Sequence, residues 1–127
     1  MRNFWRSFSF CFWNLHLVMA NNFCKISLLE AYNSQYNFDI ICLGETYLNS
    51  SYRSDEPALN INEYNLIRSD HPSDTKRGGV AIYYKNYLPL RICDVSFFDE
   101  CLLVEINFDK KKVLLNFIIS VTKSIIR

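Results

Sequence analysis

The sequence predicts an α+β protein in which a helix and sheets pack as layers. Half of the 127 residues are hydrophobic, which is enough for a packed core. A strand–helix–strand pattern occupies the first third of the chain, and a run of short strands follows it. Because helices and strands do not alternate beyond that first unit, their order favours an α+β layered sandwich over an α/β fold.

The first predicted unit is a strand, a helix and a second strand. Phe8–Leu15 is aromatic and apolar on both faces, which predicts a central strand. Asn21 or Asn22 is a candidate cap for a helix whose apolar stripe fades at Asn33. That stripe recurs at helical spacing and comprises Phe23, Ile26, Leu28, Leu29 and Tyr32. Asp39–Leu43 is a short apolar run after the helix, which is typical of a buried strand in a βαβ unit.

The remaining chain is predicted to form a loop and then a series of strands. Asn49–Asn62 is polar and contains a proline, which indicates a surface loop. The predicted strands that follow are short and closely spaced: Tyr64–Arg68, Gly79–Tyr84, Leu90–Val95, Cys101–Phe108 and Val113–Ile119. Asp109–Lys112 reads as a hairpin turn with its charges in water.

Composition excludes some classes of function. The net charge of +1 argues against a protein that binds nucleic acid mainly through phosphate charge, so any DNA recognition must be local. Five cysteines without CxxC spacing, several of them inside apolar runs where a thiol acts as a core residue, indicate a reducing compartment rather than a metal or disulfide framework. No apolar run approaches the ~18 residues of a membrane span. Arg2 and Arg6 precede an apolar run ending at Ala20, which leaves a secreted protein with a cleaved signal peptide as a minor alternative.

Two residues at strand ends are candidates for chemistry. Glu45 follows a buried strand directly after Gly44, at the edge where open sheets place ligand sites. A single carboxylate there can serve Mg²⁺, which keeps water and substrate oxygens as its other ligands, or it can be a solvated loop glutamate. Asn14 is a polar amide among aromatic neighbours, and it either bridges the structure or orients a metal ligand.

A basic, glycine-rich segment is the third candidate. Lys76 and Arg77 precede Gly78 and Gly79, an arrangement that can offer cations and backbone N–H groups to a phosphate. The same residues can also form an ordinary turn before a strand, in which the glycines relieve backbone strain.

Five short segments in a fixed order resemble the retrotransposon-type endonucleases of the endonuclease/exonuclease/phosphatase superfamily. They are Trp13–Asn14, Asp39–Thr46, Tyr64–Arg68, Arg77–Tyr84 and Glu100–Ile106. The resemblance implies a four-layer αββα sandwich that hydrolyses phosphodiesters with Mg²⁺ and, in these elements, nicks DNA to prime insertion. It also implies that Glu45 is the metal carboxylate and that Asn14 supports the metal and phosphate end of the site.

The chain departs from the family pattern in two ways. His16 stands where the family has Asn or Asp, and an imidazole does not imitate a short oxygen donor for a hard ion; we interpret it as a strand histidine. The family's later Asp-x-Asn and terminal Ser-Asp-His motifs find no counterpart here. Ser69–His71 has the letters of the last motif but precedes Arg77, so we interpret it as a solvated turn.

These departures predict the first half of the sandwich rather than a complete enzyme. We expect an N-terminal extension over residues 1–7, a partial domain over 8–120 and a divergent tail over 121–127. The expected function is that of a catalytically incomplete, intracellular DNA endonuclease domain in the nucleus or cytoplasm. The alternative is a non-enzymatic relic or interaction fragment that self-associates through an uncovered sheet face.

Overall fold

The computed structural model describes residues 9–70, 78–93, 101–108 and 111–118, and it confirms the α+β class. Its elements are β1 (Phe10–Asn14), α1 (Ala20–Tyr36), β2 (Ile40–Gly44), a 3₁₀ turn (Pro57–Leu59), β3 (Tyr64–Ser69), β4 (Val80–Lys85), β5 (Leu90–Cys93), β6 (Cys101–Phe108) and β7 (Lys111–Ile118). The predicted extension over 1–7 and tail over 121–127 lie outside the described residues.

The strands form two sheets. The first has four strands in the order β1-β2-β4-β3, and the second has three in the order β5-β6-β7. β1 pairs with β2 in parallel, and α1 connects them, so these elements form the predicted βαβ unit. All other described strand pairs are antiparallel.

β2 is buried on both faces because a different layer covers each one. Side chains alternate between the two faces of a strand. Ile41 and Leu43 therefore pack with the helix residues Ile26 and Leu29 in one apolar cluster. The opposite face packs against the second sheet in a cluster that includes Ile40, Cys42, Val80, Ile82, Val104 and Ile106. The described layers are thus a helix, a four-stranded sheet and a three-stranded sheet.

The prediction that β1 is a central strand is wrong. Within the described residues, β1 is an edge strand that pairs with β2 alone. Phe10 and Phe12 are each 53% exposed, and no β1 residue belongs to the cluster between the sheets. The aromatic run predicted burial on both faces, but the position of a strand within its sheet depends on pairings that a local pattern does not contain.

The predicted asparagine cap of α1 is also wrong. Met19 occupies the cap position, with no side-chain hydrogen bond to the helix. Asn21, Asn22 and Phe23 instead have left-handed backbone angles, with φ of 52°, 55° and 61°. Asparagine favours caps and left-handed turns alike, because its short side chain bonds locally in both. Only part of the predicted stripe is covered, since Leu28 is 64% exposed.

The other predicted boundaries need smaller changes. The loop between β2 and β3 contains the 3₁₀ turn, and Leu59 and Ile61 anchor it in the core, so it is not a simple surface loop. Lys111 and Lys112 pair with Phe108 and Asn107 in the β6–β7 ladder rather than forming a turn. The other two residues of that predicted turn lie outside the described part of the chain.

A polar network closes the end of the sheet where β2 begins. Asp39 is buried, and its carboxylate accepts hydrogen bonds from the Ser9 N–H at 2.8 Å, from the Ser9 hydroxyl at 3.4 Å and from the Tyr87 hydroxyl. Nearby, the Asn33 amide donates to the Tyr64 hydroxyl at 2.7 Å. This end of the sheet therefore places its buried polar groups in hydrogen bonds.

No helix among the described residues is both long enough and apolar enough to cross a membrane.

Candidate metal centre

The candidate centre lies where β1 and β2 end. The two strands run parallel, and their register pairs Asn14 with Gly44. Parallel strands bring their carboxyl ends to one edge of a sheet, so the residues that follow both strands meet there. Asn14 and Glu45, which the sequence singled out separately, are neighbours at this edge.

Glu45 lies between two polar side chains of the first segment. The Asn14 amide nitrogen donates to Glu45 Oε2 at 3.4 Å. His16 Nδ1 lies 3.3 Å from Glu45 Oε1. The Glu45 side chain is 12% exposed, whereas the imidazole is 61% exposed. One carboxylate, one amide and one imidazole therefore meet at a site that opens to solvent on the His16 side.

Backbone hydrogen bonds fix the two strand ends against each other. The Leu15 N–H donates to the Gly44 carbonyl at 3.0 Å, and the Leu17 N–H donates to the Glu45 carbonyl at 2.9 Å. The Val18 N–H donates to the Thr46 carbonyl at 3.0 Å. The parallel pairing thus continues past β1 and β2, which sets the backbone on both sides of the Glu45 carboxylate.

The glycine-rich segment packs against the same strand end. The Thr46 N–H donates to the Gly79 carbonyl at 3.3 Å, and the Tyr47 N–H donates to the Gly78 carbonyl at 2.8 Å. Gly79 has φ of +91°, and a Cβ atom there would lie 2.7 Å from Thr46 Oγ1. Glycine is therefore required at position 79 both for its backbone angle and for the close approach to Thr46.

Left-handed backbone angles concentrate at this edge. His16, Leu17, Glu45 and Tyr47 all have positive φ, between 47° and 65°. Such angles are unfavourable for residues other than glycine, and they persist where the surrounding structure enforces them. Strain of this kind is typical of binding and catalytic sites.

Lys25 of α1 holds the strained turn in place. Its ammonium donates to the Leu15 carbonyl at 2.9 Å and also to the His16 carbonyl. On the other side, the Tyr47 ring packs edge-on against the imidazole, with 4.8 Å between ring centroids. These contacts orient His16 toward Glu45.

His16 is a neighbour of Glu45 that the sequence did not predict, because it was interpreted as a strand histidine. β1 ends at Asn14, and His16 lies in the turn beyond it, within hydrogen-bonding distance of Glu45. The available indication was its spacing, two residues after a candidate site asparagine and directly after a predicted strand.

The other candidates do not join the centre. Arg77 lies outside the described residues, although the next residue in the chain, Gly78, contacts Tyr47. Ser69 pairs with Val80 at the end of β3, and the Asp70 carboxylate forms an ion pair with Arg68 at 3.0 Å. His71 also lies outside the described residues.

Cysteines do not contribute to the centre in the described part of the chain. Cys11, Cys24 and Cys42 are free thiols. Burial raises the pKa of Cys42 far above its ordinary value and also raises that of Cys11. Cys24 is exposed, whereas Cys42 is buried.

The donor set fits a divalent cation in part. Glu45 and Asn14 carry the carboxylate and amide oxygens that Mg²⁺ takes as ligands, and Mg²⁺ often uses only one or two protein carboxylates. His16 adds a nitrogen donor that a site built for a hard ion does not require. Among the residues that the structure describes, no group of three or more His, Cys, Asp or Glu side chains is arranged to hold a metal.

Comparison with known proteins gives a family and a fold. The model of the Endonuclease/Exonuclease/phosphatase family matches residues 11–117. Among solved structures, the AP endonuclease LMAP from Leishmania major is 19% identical with a TM-score of 0.71, and the match covers 86% of this chain and 39% of that one. No curated protein sequence matches.

Two further solved structures share the fold. An AP endonuclease from Archaeoglobus fulgidus is 14% identical with a TM-score of 0.54, over 87% of this chain and 40% of its own. D. rerio TDP2, complexed with a single-strand DNA product, is 17% identical with a TM-score of 0.55, over 86% of this chain and 44% of its own. This chain thus spans about two fifths of the length of these three solved chains.

Proposed function

Because this chain belongs to the endonuclease/exonuclease/phosphatase family, we propose that it contributes to the Mg²⁺-dependent hydrolysis of phosphodiester bonds in DNA. The observation that carries the proposal is the meeting of Asn14 and Glu45 at the carboxyl ends of two parallel strands. Within that proposal, the domain covers residues 8–120 and acts inside the cell, on nuclear or cytoplasmic DNA.

Each residue at the centre has a defined part in this proposal. Glu45 would hold the cation through its carboxylate, and Asn14 would orient that carboxylate through its amide N–H. Bound Mg²⁺ supplies Lewis-acid stabilisation of charge on a phosphoryl oxygen. Arg77 would contact a DNA phosphate, because the adjacent Gly78 packs against the segment that carries Glu45 and Tyr47.

DNA is the proposed substrate for two reasons. Solved proteins of this fold include AP endonucleases and a TDP2 complexed with a single-strand DNA product. The order of the five matching segments also resembles retrotransposon endonucleases, so we propose that the chain derives from such an element. The net charge of +1 implies that phosphate contacts are local to the site.

The described centre supplies only part of a hydrolytic site. Hydrolysis of a phosphodiester requires an activated water molecule and a stabilised leaving oxygen, in line with each other. Glu45 is the one carboxylate that the described contacts bring to Asn14 and His16. We therefore propose that this chain alone cuts DNA slowly or not at all.

Plasmid nicking combined with DNA binding tests the proposal. With supercoiled plasmid and Mg²⁺ we expect little or no nicking. With a fluorescent oligonucleotide we expect Mg²⁺ to strengthen binding in the wild type but not in Glu45→Gln. The matched control is Glu56→Gln, which removes the charge of an exposed loop glutamate and should behave as wild type.

Two results would count against the proposal. Efficient nicking that Glu45→Gln abolishes would overturn the predicted inactivity while keeping the metal role. DNA binding that is independent of Mg²⁺ and equal in both proteins would overturn the metal role itself.

In the same assay, Arg77→Ala should weaken binding about fivefold, the order of one phosphate contact, whereas Arg53→Ala should not.

The aromatic face of β1 gives a second proposal, namely self-association. Phe12 is 53% exposed on a strand whose outer edge pairs with no described strand. Exposed apolar edge strands promote pairing between copies of a chain. Phe12→Ser should shift the size-exclusion profile toward monomer. Leu28→Ser, at an exposed leucine on the helix, should not, and equal profiles for wild type and Phe12→Ser would refute the proposal.

A further inference from the structure

We propose that His16 makes this centre favour a divalent transition-metal cation of the Co²⁺ and Zn²⁺ type over Mg²⁺. The inference rests on the proposed function, because it concerns the cation held by Glu45. It is carried by the position of one imidazole, which stands next to the carboxylate at the open side of the site.

The geometry suits two ligands of one cation. Donor atoms about 2.1 Å from a common cation lie about 3.0 Å apart in an octahedral arrangement and about 3.4 Å apart in a tetrahedral one. His16 Nδ1 and Glu45 Oε1 are 3.3 Å apart. This separation, at which the two side chains contact each other directly, also falls between the two values for shared coordination.

The imidazole is held in that position by its surroundings. Lys25 donates to the carbonyls of Leu15 and His16, and the Tyr47 ring packs against the imidazole edge. His16 has φ of 47°, which the chain adopts here without glycine. Ligands fixed by such contacts bind a metal without the cost of ordering them first.

The chemistry of the donors then decides which cation is favoured. Mg²⁺ takes oxygen ligands, and it gives up its water reluctantly. Imidazole nitrogen suits Zn²⁺ and the neighbouring transition metals, whereas carboxylate, carbonyl and water oxygens suit Mg²⁺. Adding an imidazole to Glu45 and Asn14 therefore raises affinity for Co²⁺ or Zn²⁺ more than for Mg²⁺.

Calorimetric titration of the full chain with Co²⁺ alone and with Mg²⁺ alone tests the inference. Most protein sites bind Co²⁺ more tightly than Mg²⁺, so the diagnostic quantity is the change in the ratio of the two affinities. We expect His16→Asn to weaken Co²⁺ binding roughly tenfold or more, while Mg²⁺ binding stays within about twofold. The visible absorption of bound Co²⁺ should change as well, because a nitrogen ligand is lost.

Two further variants keep the test decisive. His71→Asn removes the other histidine of the chain and should leave both affinities unchanged. His16→Asp replaces nitrogen with carboxylate oxygen and should shift the ratio toward Mg²⁺. If circular dichroism shows that His16→Asn does not fold, the ratio of Co²⁺ to Mg²⁺ affinity in His16→Asp tests the inference instead.

The outcomes separate this inference from the proposed function. If Glu45→Gln weakens both cations while His16→Asn changes neither, the inference is overturned and the metal role of Glu45 stands. An equal loss of Co²⁺ binding in His16→Asn and His71→Asn would also overturn the inference, because it would indicate nonspecific histidine binding. If the wild type binds neither cation, both proposals fail.

Discussion

The two ends of β2 each carry a carboxylate, but their surroundings differ. Asp39 precedes the strand and accepts hydrogen bonds from Ser9 and Tyr87, the Ser9 N–H lying only 2.8 Å away. Glu45 follows the strand and lies 3.3 Å from His16 Nδ1 and 3.4 Å from the Asn14 amide nitrogen. The hydrogen bonds from the Ser9 N–H and the Tyr87 hydroxyl tie the Asp39 carboxylate to the fold, whereas Glu45 lies beside an amide and an imidazole that are also suited to a ligand.

The backbone shows the same contrast. At the Asp39 end, buried side chains bond the backbone: the side-chain amide oxygen of Asn33 accepts from the Phe38 N–H at 2.9 Å, and the Tyr64 hydroxyl donates to the Phe38 carbonyl at 2.5 Å. At the Glu45 end, His16, Leu17, Glu45 and Tyr47 have positive φ, against Asn37 and Glu63 at the Asp39 end. One edge of this sheet thus has its buried polar groups in hydrogen bonds, whereas the opposite edge has more left-handed backbone, a feature typical of binding sites.

The largest expected effect is at Asp39. Asp39→Ala removes the acceptor for Ser9 and Tyr87 and leaves their donors without that partner, so it should lower the free energy of unfolding by about 2–4 kcal/mol. Urea denaturation measures this. Asp55→Ala, which breaks an exposed ion pair with Arg53, should cost less than about 1 kcal/mol. Equal effects of the two substitutions would remove the structural role assigned to the Asp39 end.

A smaller stability effect is expected at Gly79, at the opposite edge. Gly79→Ala imposes an unfavourable backbone angle and places Cβ 2.7 Å from Thr46 Oγ1, so it should destabilise the protein by about 1–3 kcal/mol. The measurement is again urea denaturation, now as a double-mutant cycle. Combined with Thr46→Ala, which removes the contacting oxygen, the loss should be less than the sum of the two single losses. Strict additivity would show that the close approach is not a constraint.

The smallest effect concerns alkaline pH. Burial raises the pKa of the Tyr64 hydroxyl above its usual value near 10. The folded state therefore retains this proton more firmly than the unfolded state. Its contribution to stability is complete below the unfolded pKa and is lost as pH rises toward the folded pKa.

Thermal melts across that range measure the effect. Stability should fall as pH rises above about 10, and Tyr64→Phe should fall less steeply. Burial likewise raises the pKa of Tyr83, so part of the slope should persist in the variant. An identical slope with and without the Tyr64 hydroxyl would contradict the prediction.

Local patterns predicted much of the fold. The apolar run before Gly44 predicted β2, and alternation of side chains predicted the strands that follow, because both are properties of short segments. The position of β1 at a sheet edge could not be predicted, because it depends on which strands lie beside it. The predicted cap of α1 was wrong because asparagine is favoured both at helix caps and in left-handed turns, and the local sequence does not distinguish the two.

The site was predicted in part for a similar reason. Asn14 and Glu45 were found because each follows a predicted strand, and parallel pairing brings such positions together. Their roles stay predictions. The position of His16 beside Glu45 was not predicted, because it depends on contacts with Lys25 of α1 and with Tyr47, which follows β2. Asn14 and Glu45 could thus be predicted from residue type and spacing, whereas the position of His16 depends on tertiary contacts.

Because β1 lies at the edge of its sheet, binding of a cation at the Glu45 centre would be linked to the folding of β1. β1 is held in its sheet by β2 on one side only within the described residues, and Asn14 and His16 lie at its end. A cation bound to both Glu45 and His16 would act as a cross-link between these two chain segments. By mass action, a ligand at 100 times its dissociation constant stabilises the folded state by about 2.7 kcal/mol. Slower amide hydrogen exchange along β1 would then report cation binding at a distance from the centre itself.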